Sequence, residues 1–219
     1  MAKVVKFTFN PFQENTYLVV DEGSRTCVIF DPGCYDAHEK DELATYIEQQ
    51  ELRPVRLMNT HCHLDHIFGN RFVAEKYGLP LEIHRGESPI LASAPQAAML
   101  FGLPAPEPSL APGAFLEEGD QVTFGNTRLE VLLTPGHSPA SLSFFCPDEG
   151  FVIAGDVLFY GSIGRTDLPG GDFDTLIRSI REKLLPLGDQ VVVHPGHGPD
   201  TTIGFERRHN PFLQQIPAP

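Results

Sequence analysis

Four short apolar segments, each with the composition of a buried β-strand, end at a histidine or an aspartate. The residues that follow them are types that ligate metals: His-Cys-His-Leu-Asp-His at 61–66 after segment 56–60, Pro-Gly-His at 135–137 after 129–134, Asp156 after 151–155, and His-Pro-Gly-His at 194–197 after 191–193. Strand ends are rigid and can converge at one edge of a sheet, which holds side chains in the fixed geometry that a metal site requires. The pattern therefore favours a strand-rich fold that brings these ends together.

The cluster at 61–66 has the spacing of a metal-binding motif. His61 and His63 are two residues apart, so both side chains point the same way in an extended segment. Asp65 and His66 follow where a helix is predicted to begin. Imidazole and carboxylate donors suit zinc, and they also suit iron or manganese.

The four strand ends together offer seven candidate metal ligands: His61, His63, Asp65, His66, His137, Asp156 and His197. Seven donors are too many for one tetrahedral ion, whereas seven donors with a water molecule suit two divalent ions. In a two-ion site, one carboxylate bridges ions that lie about 3.5–4 Å apart. We expect Asp156, which stands alone in its strand-end turn, to form this bridge.

Other residues near these motifs have competing interpretations. Cys62 lies between two ligands, but its side chain should point away from theirs, so a core position is favoured over a nucleophile. For His194, three residues before a ligand, core packing or backbone bonding is favoured over support of that ligand. His84 is interpreted as structural. Asp31, at a strand end, either supports a histidine ligand or stabilises its own turn.

Turn-forming residues describe the rest of the fold. Glycine and proline, 20 of each in 219 residues, are spread along the chain and often follow apolar runs, which is typical of a strand-rich protein. Apolar periodicity predicts helices at about 36–51, 64–77 and 175–185, and residues 88–112 combine a helical piece with a Pro-rich loop. The order of elements favours sheets packed face to face with helices outside. No domain boundary is visible, so 1–219 is predicted to be a single domain.

Composition argues against several classes of protein. The 16 basic and 29 acidic residues give a net charge of −13, which makes nucleic acid and anionic membranes poor partners. No apolar stretch approaches the roughly 20 residues of a membrane helix, and the N-terminus has the pattern of a strand rather than of a signal peptide. The 4 cysteines show no CxxC pairing, so we expect reduced thiols and a cytoplasmic protein. The oligomeric state is left open.

The chain resembles the metallo-β-lactamase superfamily in its motifs at 61–66, 136–137, 155–156 and 196–197, and the similarity extends from residue 10 to residue 199. Within the superfamily it is most similar to the glyoxalase II-like (hydroxyacylglutathione hydrolase-like) group, whose shorter bacterial members resemble it at 156–159 and 162–172. Because only about 20 residues follow His197, the added C-terminal helical domain of the longer members is expected to be absent. The resemblance implies an α/β (α+β) fold, the four-layer αββα metallo-β-lactamase-like sandwich, with metals at one edge of the two sheets.

The resemblance also implies a metal arrangement and a reaction. One ion would be held by His61, His63 and His137, a second by Asp65, His66 and His197, and Asp156 would be shared. Both would be divalent ions, zinc first, with iron or manganese as alternatives. The implied reaction is hydrolysis of a thioester such as an acyl-glutathione by a metal-bridging hydroxide. Asp65 is the expected catalytic residue, because it could both ligate a metal and orient the hydroxide.

The chain departs from the glutathione-binding pattern of this group at two of three positions. Where the group has a lysine and two tyrosines, this sequence has Arg165, Asp167 and Pro199. Only the cation is kept, so Arg165 is expected to pair with a substrate carboxylate, with a solvated surface position as its alternative. In β-lactamases of the superfamily that use two zincs and a cysteine ligand, the cysteine holds the position of Asp156. Antibiotic hydrolysis is therefore disfavoured.

The main alternative is a persulfide dioxygenase, a group that resembles this chain at 164–167 and uses one iron held by two histidines and an aspartate. Those ligands would be His61, His137 and Asp156. A nuclease is disfavoured by the net charge and by the lack of room for an inserted clamp. A non-catalytic metal-binding protein is disfavoured by the open metal positions and by segment 88–112, which could act as a lid. The expected partner is therefore a small-molecule thioester.

Overall fold

The computed structural model describes residues 1–104 and 106–214 as a mixed α/β protein with two six-stranded sheets and one two-stranded sheet. The mixed α/β class predicted from the sequence is confirmed. The chain divides into two compact units, one formed by residues 1–116 with 123–128 and the other by 117–122 with the chain from 129 onward. Each unit is described by itself, and the single domain stays a prediction.

The described part of residues 1–116 contains six strands and five α-helices, which are β1 (Ala2–Phe9), β2 (Glu14–Asp21), β3 (Thr26–Phe30), α1 (Ala37–Gln49), β4 (Arg53–Met58), α2 (Leu64–Ile67), α3 (Asn70–Tyr77), β5 (Leu81–Ile83), α4 (Ser88–Ala92), α5 (Ala94–Leu100) and β6 (Ala114–Phe115). The first sheet follows chain order from β1 to β6. Strands β1 to β3 pair antiparallel, whereas β3 to β6 pair parallel.

Parallel pairing within the first sheet explains the order of its helices. Parallel neighbours need a crossover connection, and α1 joins β3 to β4 in this way. Leu43 and Ile47 on α1 are buried in one cluster with Leu18, Ile29 and Leu57 of the strands. Asp36 caps α1 by accepting a hydrogen bond from the backbone N–H of Glu39, as N-cap residues do.

The helix predicted at 64–77 is divided into α2 and α3. The break falls at Phe68 and Gly69, where the Gly69 N–H donates to the Pro32 carbonyl at 2.7 Å. A Cβ at Gly69 would overlap the Cys34 sulfur and lie 2.8 Å from the Pro32 oxygen. Only glycine permits this approach, so the contact with the 32–34 turn interrupts a segment whose periodicity is helical throughout.

The later part of the chain contains β7 (Gln121–Phe124), β8 (Thr127–Leu133), β9 (Leu142–Cys146), β10 (Phe151–Gly155), β11 (Leu158–Phe159), β12 (Ser162–Ile163), α6 (Phe173–Ser179), β13 (Val192–Pro195), β14 (Thr201–Thr202), α7 (Ile203–His209) and α8 (Pro211–Gln214). The second sheet has the order β14-β13-β10-β9-β8-β7, and β11 pairs with β12. Within this sheet, β10 and β13 are parallel. Val152, Ala154 and Val193 of these strands are buried in one cluster with Leu176 and Ile177 of α6.

Two helical predictions differ from the structure in their bounds. The helix expected at 175–185 begins at Phe173, because Asp172 caps it through the Thr175 N–H, and it continues after Ser179 as a π turn (Ile180–Leu184). The helical piece expected within 88–112 forms α4 and α5, and each begins with a proline in its first turn. Proline is tolerated there because its missing N–H has no helical partner.

No helix within residues 1–104 and 106–214 is long and apolar enough to cross a membrane. The four cysteines, Cys27, Cys34, Cys62 and Cys146, are buried and form no disulfide in the described structure. This agrees with the expectation of reduced thiols.

Candidate metal centre

The segment after β4 carries four of the seven candidate ligands. His63 is extended (φ −65°, ψ 155°) and precedes the first residue of α2, so Asp65 and His66 lie in the first turn of that helix. The ring centroids of His61 and His63 are 4.8 Å apart, and those of His61 and His66 are 4.1 Å apart. Asp65 Oδ2 lies 3.7 Å from His66 Nε2. The first unit thus brings all four donors together, as the motif spacing predicts.

Asp31 is positioned by the register of the first sheet. Phe30 of β3 lies beside Met58 of β4 in a parallel pair, so the residues that follow these strands are neighbours. Asp31 has a left-handed backbone (φ 46°), a conformation that aspartate tolerates better than most residues. Its carboxylate accepts hydrogen bonds from the Thr60 N–H at 2.7 Å and from the Thr60 hydroxyl at 2.6 Å. Its Oδ2 also lies 3.1 Å from His66 Nδ1.

Asp31 and Thr60 together determine which nitrogens of two histidines carry a proton. A carboxylate only accepts, so His66 donates from Nδ1 to Asp31 and keeps Nε2 as a metal-binding atom. The single Thr60 hydroxyl proton is also donated to Asp31. The Thr60 oxygen, 3.0 Å from His61 Nδ1, can then only accept from that nitrogen, which leaves His61 Nε2 as a donor atom for a metal. Of the two roles considered for Asp31, support of a histidine is the one that the contacts favour.

Three further polar residues hold the backbone around these donors, and none of them was predicted to have a role. Asn10 donates from Nδ2 to the carbonyl oxygens of Gly33 and Asp65, at 3.0 Å each. Glu87 accepts from the backbone N–H of Cys62 at 3.0 Å. Glu14 is fully buried, bonds the Thr16 hydroxyl at 3.0 Å and lies 3.8 Å from His66 Nδ1. The only sequence signal for them is that residues 10 and 14 belong to the run that resembles the superfamily.

Burial perturbs two groups beside the histidines. Burial raises the pKa of Glu14 well above its usual value, and the charges of Asp31 and Asp65 act in the same direction. Burial likewise raises the pKa of the Cys62 thiol, whose side chain is 1% exposed. A buried thiol that stays protonated is a poor nucleophile, so the structure agrees with a core role for Cys62.

The second unit carries the remaining three candidate ligands. β10 ends at Gly155, beside Pro195 of the parallel strand β13, and the Gly196 N–H donates to the Gly155 carbonyl at 2.9 Å. This register places Asp156 beside His197. One carboxylate oxygen, Asp156 Oδ2, lies 3.5 Å from His197 Nε2 and 3.5 Å from His137 Nε2. A single oxygen between two imidazole nitrogens is the arrangement expected of a bridging carboxylate.

His137 is oriented by the loop that follows β12. Its Nδ1 lies 2.8 Å from the Arg165 carbonyl oxygen, which only accepts, so Nδ1 carries the proton and Nε2 faces Asp156. Gly164 lies against both ligands. A Cβ at Gly164 would overlap the Asp156 carbonyl and approach His137 Cβ to 3.2 Å. The backbone of residues 164–165 therefore supports two candidate ligands at once.

The Arg165 side chain makes a bidentate ion pair with Asp167. Its Nε donates to Oδ1 at 2.7 Å and its Nη2 to Oδ2 at 2.6 Å. Hydrogen bonding from Arg165 lowers the pKa of Asp167 to about 2 and raises that of the guanidinium. Arg165 is exposed, as its alternative interpretation expected, and substrate binding by Arg165 stays a prediction.

Two other histidines, His84 and His194, have local partners. His84 accepts from the Gly86 N–H at 3.0 Å and caps the following turn, so its structural interpretation is confirmed. His194 Nδ1 lies 3.1 Å from Asp200 Oδ2, and its ring contacts Phe151 at 5.6 Å between centroids. Its polar partner is thus a carboxylate side chain.

The donor sets fit divalent metal ions. Two donors that lie about 2.0–2.1 Å from one tetrahedral ion are about 3.4 Å apart, close to the 3.5 Å that separates Asp156 Oδ2 from each histidine nitrogen. Asp31, His61 and His66 also form a close group, but the Asp31 oxygens already accept hydrogen bonds from Thr60 and Asn59. Asp31 is therefore better suited to orient ligands than to be one.

Comparison with known proteins gives the family. The family model described as Metallo-beta-lactamase superfamily matches residues 9–200. The chain belongs to this superfamily. It is 43% identical over 206 residues to the probable metallo-hydrolase YqgX of Bacillus subtilis, with 93% of both chains covered. It is 39% identical over 203 residues to the hydroxyacylglutathione hydrolase GloC of Haemophilus influenzae, covering 92% of this chain and 93% of GloC.

Solved structures show the same fold. The B3 metallo-β-lactamase BLEG-1 matches with a TM-score of 0.88 at 37% identity, over 96% of this chain and 99% of its own. TTHA1623, solved in a di-iron-bound form, matches with a TM-score of 0.85 at 40% identity, over 95% and 100%. ETHE1 from Myxococcus xanthus matches with a TM-score of 0.77 at 26% identity, over 95% and 83%. The metallo-β-lactamase fold and a place among metallo-hydrolases are thus established for this chain.

Proposed function

We propose that this metallo-hydrolase cleaves thioesters of the acyl-glutathione type with two divalent metal ions. The observation that carries the proposal is the position of Asp156 Oδ2, 3.5 Å from both His137 Nε2 and His197 Nε2. A carboxylate oxygen shared in this way suits two adjacent ions better than one. The name of the GloC relative supports the thioester class.

In this proposal each ion would be held by three residues and by the shared Asp156. The first set is His61, His63 and His137, and the second is Asp65, His66 and His197. Nitrogen and oxygen donors suit zinc, iron and manganese alike. Zinc is our first expectation, and the di-iron form of TTHA1623 supports iron as the alternative.

The chain's own side chains have separate tasks in the reaction. Bound metal ions would supply a hydroxide nucleophile near neutral pH and polarise the thioester carbonyl. Asp65, 3.7 Å from His66 Nε2, would orient the nucleophile through its carboxylate. Asp31 and Thr60 would hold His66 and His61 with Nε2 available. A thiol has a pKa of about 8.5, so the thiolate is a good leaving group and needs little help from a general acid.

Two other reactions have support among the solved structures. The ETHE1 neighbour fits the persulfide dioxygenase alternative, with one iron on His61, His137 and Asp156. The BLEG-1 neighbour makes β-lactam hydrolysis a reaction to test, although an aspartate stands at position 156. The four donors of segment 61–66 favour two ions over one and thus favour the hydrolase.

One preparation of the purified protein separates these reactions. Elemental analysis is combined with assays of acyl-thioester hydrolysis, oxygen uptake with glutathione persulfide, and β-lactam cleavage. We expect about two ions per chain with thioester cleavage. One iron per chain with persulfide-dependent oxygen uptake would replace the proposal by the dioxygenase, and β-lactam cleavage without thioester cleavage would replace it by a lactamase.

A pair of variants tests the shared carboxylate. Asp156→Ala should retain about one ion or fewer, because it removes the oxygen that both sets would share. Asp148→Ala is the matched control, since Asp148 is exposed in the turn before β10, at the strand end opposite to Asp156. Equal metal content in the two variants would contradict a bridging role.

Cytoplasmic location and the absence of nucleic-acid or membrane partners stay predictions from the sequence.

A further inference from the structure

Residues 106–112, between α5 and β6, form a proline-rich run that we name the strap. Its sequence is Pro-Glu-Pro-Ser-Leu-Ala-Pro, and each proline restricts its own backbone and that of the residue before it. Two polar side-chain contacts hold the strap to the rest of the described chain. Glu107 lies 4.0 Å from Lys40 Nζ in a pair that is exposed on the glutamate side, and Ser109 Oγ accepts from Asn70 Nδ2 at 3.3 Å. Because an exposed ion pair contributes little to stability, Ser109 is the more important anchor.

Asn70, the first residue of α3, links the strap to Asn59. Asn70 is 1% exposed, and its Nδ2 also donates to the Asn59 side-chain oxygen at 2.8 Å. Asn59 in turn donates from its Nδ2 to the His66 carbonyl at 3.0 Å and to Asp31 Oδ1 at 3.2 Å. The other oxygen of Asp31 contacts His66 Nδ1. A continuous chain of hydrogen bonds therefore leads from Ser109 to both the backbone and the ring of His66.

The partners of the two amides determine how each amide is turned. The groups that face Asn59 Nδ2 are a carbonyl and a carboxylate, which only accept, so the Asn59 oxygen faces Asn70 and accepts from it. In this orientation Asn70 Oδ1 is buried and has no hydrogen-bond partner among the described residues. A buried acceptor without a donor is costly and uncommon. The cost is tolerated because the opposite orientation would place two amide oxygens against each other and lose both bonds that Asn70 donates.

Release of the strap would change the environment of this amide. The bond to Ser109 would be lost, and water would reach Asn70 in its place. Water donates and accepts, so it pairs with the amide in either orientation, and the bond from Asn70 to Asn59 is then no longer required. The docked strap is thus the state that holds the Asn70 amide in the orientation that supports Asn59.

From these contacts we propose that Asn70 is a positioning residue for His66, and that it couples docking of the strap to metal binding by Asp65 and His66. A docked strap keeps Asn59 and Asp31 directed at His66 and so raises the affinity of this donor set for a divalent ion. By linkage, an ion bound there favours the docked strap by the same factor. The inference goes beyond the proposed function, because it holds whichever reaction the ions serve.

The test removes the anchor on the strap and measures binding at the metal centre. Ser109→Ala deletes a hydroxyl at a half-buried position and leaves every candidate ligand in place, whereas Ser109→Thr keeps a hydroxyl and serves as the rescue variant. Ser93→Ala is the matched control, because Ser93 is exposed and its hydroxyl donates to the Ile90 carbonyl in its own turn. Zinc affinity of the full chain is measured by chelator competition, and NMR of the ring nitrogens identifies the ion that His66 binds.

We expect Ser109→Ala to bind zinc at His66 about 3- to 10-fold more weakly than wild type, the effect of one neutral hydrogen bond. Ser109→Thr and Ser93→Ala should keep the wild-type affinity. Asn70→Ala should lose at least as much as Ser109→Ala, and the double variant should lose no more than Asn70→Ala, since the chain of bonds is already cut. Zinc should also slow hydrogen exchange at the Ser109 and Leu110 amides in wild type but not in Asn70→Ala.

Three results would overturn the inference. The first is equal zinc affinity of Ser109→Ala and Ser93→Ala. The second is additive losses in the double variant, which would show that Ser109 and Asn70 have separate structural effects. The third is hydrogen exchange in the strap that zinc leaves unchanged in wild type, including the case in which zinc does not bind His66. Failure of the proposed function is distinguishable, since it would appear as metal-loaded wild type that cleaves no thioester while the expected binding and exchange results are obtained.

Discussion

Removal of the Thr60 hydroxyl should weaken metal binding through His61 without any change in a ligand. The hydroxyl donates to Asp31 Oδ2 at 2.6 Å and accepts from His61 Nδ1 at 3.0 Å, and all three side chains are buried, with at most 2% of each residue exposed. Thr60→Val keeps the shape and the branched Cβ but supplies neither bond. The His61 Nδ1–H then lacks this acceptor, and Asp31 Oδ2 loses one of its donors.

The expected magnitude follows from these two lost contacts. Two lost hydrogen bonds at about 0.5–1.5 kcal/mol each cost about 1–3 kcal/mol together. Loss of a residue that orients a metal-binding histidine lowers metal affinity about 10- to 100-fold, which corresponds to about 1.4–2.8 kcal/mol. The two ranges agree, so we expect an affinity loss of about 10- to 100-fold for the ion that His61 holds, and a smaller loss for the other ion. His66 keeps its own contact with Asp31.

The assay is competition with a coloured chelator, together with nitrogen NMR of the histidine rings. Affinity reports the energy, and the ring nitrogen shifts report which His61 nitrogen carries the proton. Thr60→Ser is the matched control, because it keeps the hydroxyl and should bind metal within about 3-fold of wild type. The reasoning is refuted if Thr60→Val binds both ions as tightly as Thr60→Ser and His61 keeps its proton on Nδ1.

Three further variants test other contacts of the two donor sets. Gly164→Ala should destabilise the protein by about 1–3 kcal/mol in urea unfolding and should also lower its metal content, because the new Cβ would overlap the Asp156 carbonyl. The control Gly23→Ala should do neither, since a Cβ at Gly23 meets only ordinary contacts. Glu14 has a raised pKa, so folding favours its protonated form. Its contribution to stability is full below pH 4.5 and is lost as pH rises towards the pKa of Glu14 in the folded protein. Glu14→Gln should therefore become more stable relative to metal-free wild type as pH rises above 4.5, and a pH-independent difference would contradict this. Cys62→Ala should keep the rate of thioester hydrolysis within about 3-fold of wild type, since the buried thiol stays protonated. A loss of several hundred-fold in this rate would instead indicate that Cys62 is a nucleophile.

Much of the candidate site could be predicted from sequence because its donors are close to one another along the chain or stand at strand ends. His61, His63, Asp65 and His66 lie within six residues, so an extended segment followed by a helical turn is enough to bring them together. Asp156 and His197 are 41 residues apart, but each follows an apolar strand, and the parallel register of β10 and β13 makes those strand ends neighbours. The seven-residue set itself, shared by two ions, stays a prediction.

The residues that orient these donors could not be assigned in the same way. Glu87 reaches the Cys62 N–H from 25 residues away, and Asn10 reaches the Asp65 carbonyl from 55 residues away. No local period encodes such contacts, because they depend on how loops return to the strand ends. The same limit explains the helix expected at 64–77. Its periodicity is helical, and only the tertiary contact of Gly69 with Pro32 divides it.

Asp31 shows why a short sequence signal can have a large effect on a site. Its backbone N–H donates to the Met58 carbonyl at 3.0 Å, so it continues the parallel pairing one residue beyond β3, and its left-handed backbone then redirects the side chain. One carboxylate thereby contacts His66 directly and His61 through Thr60. In our proposal these histidines belong to different ions. A change at Asp31 would therefore disturb both ions, whereas a change at Thr60 would disturb mainly one, and this difference follows from the register of two strands.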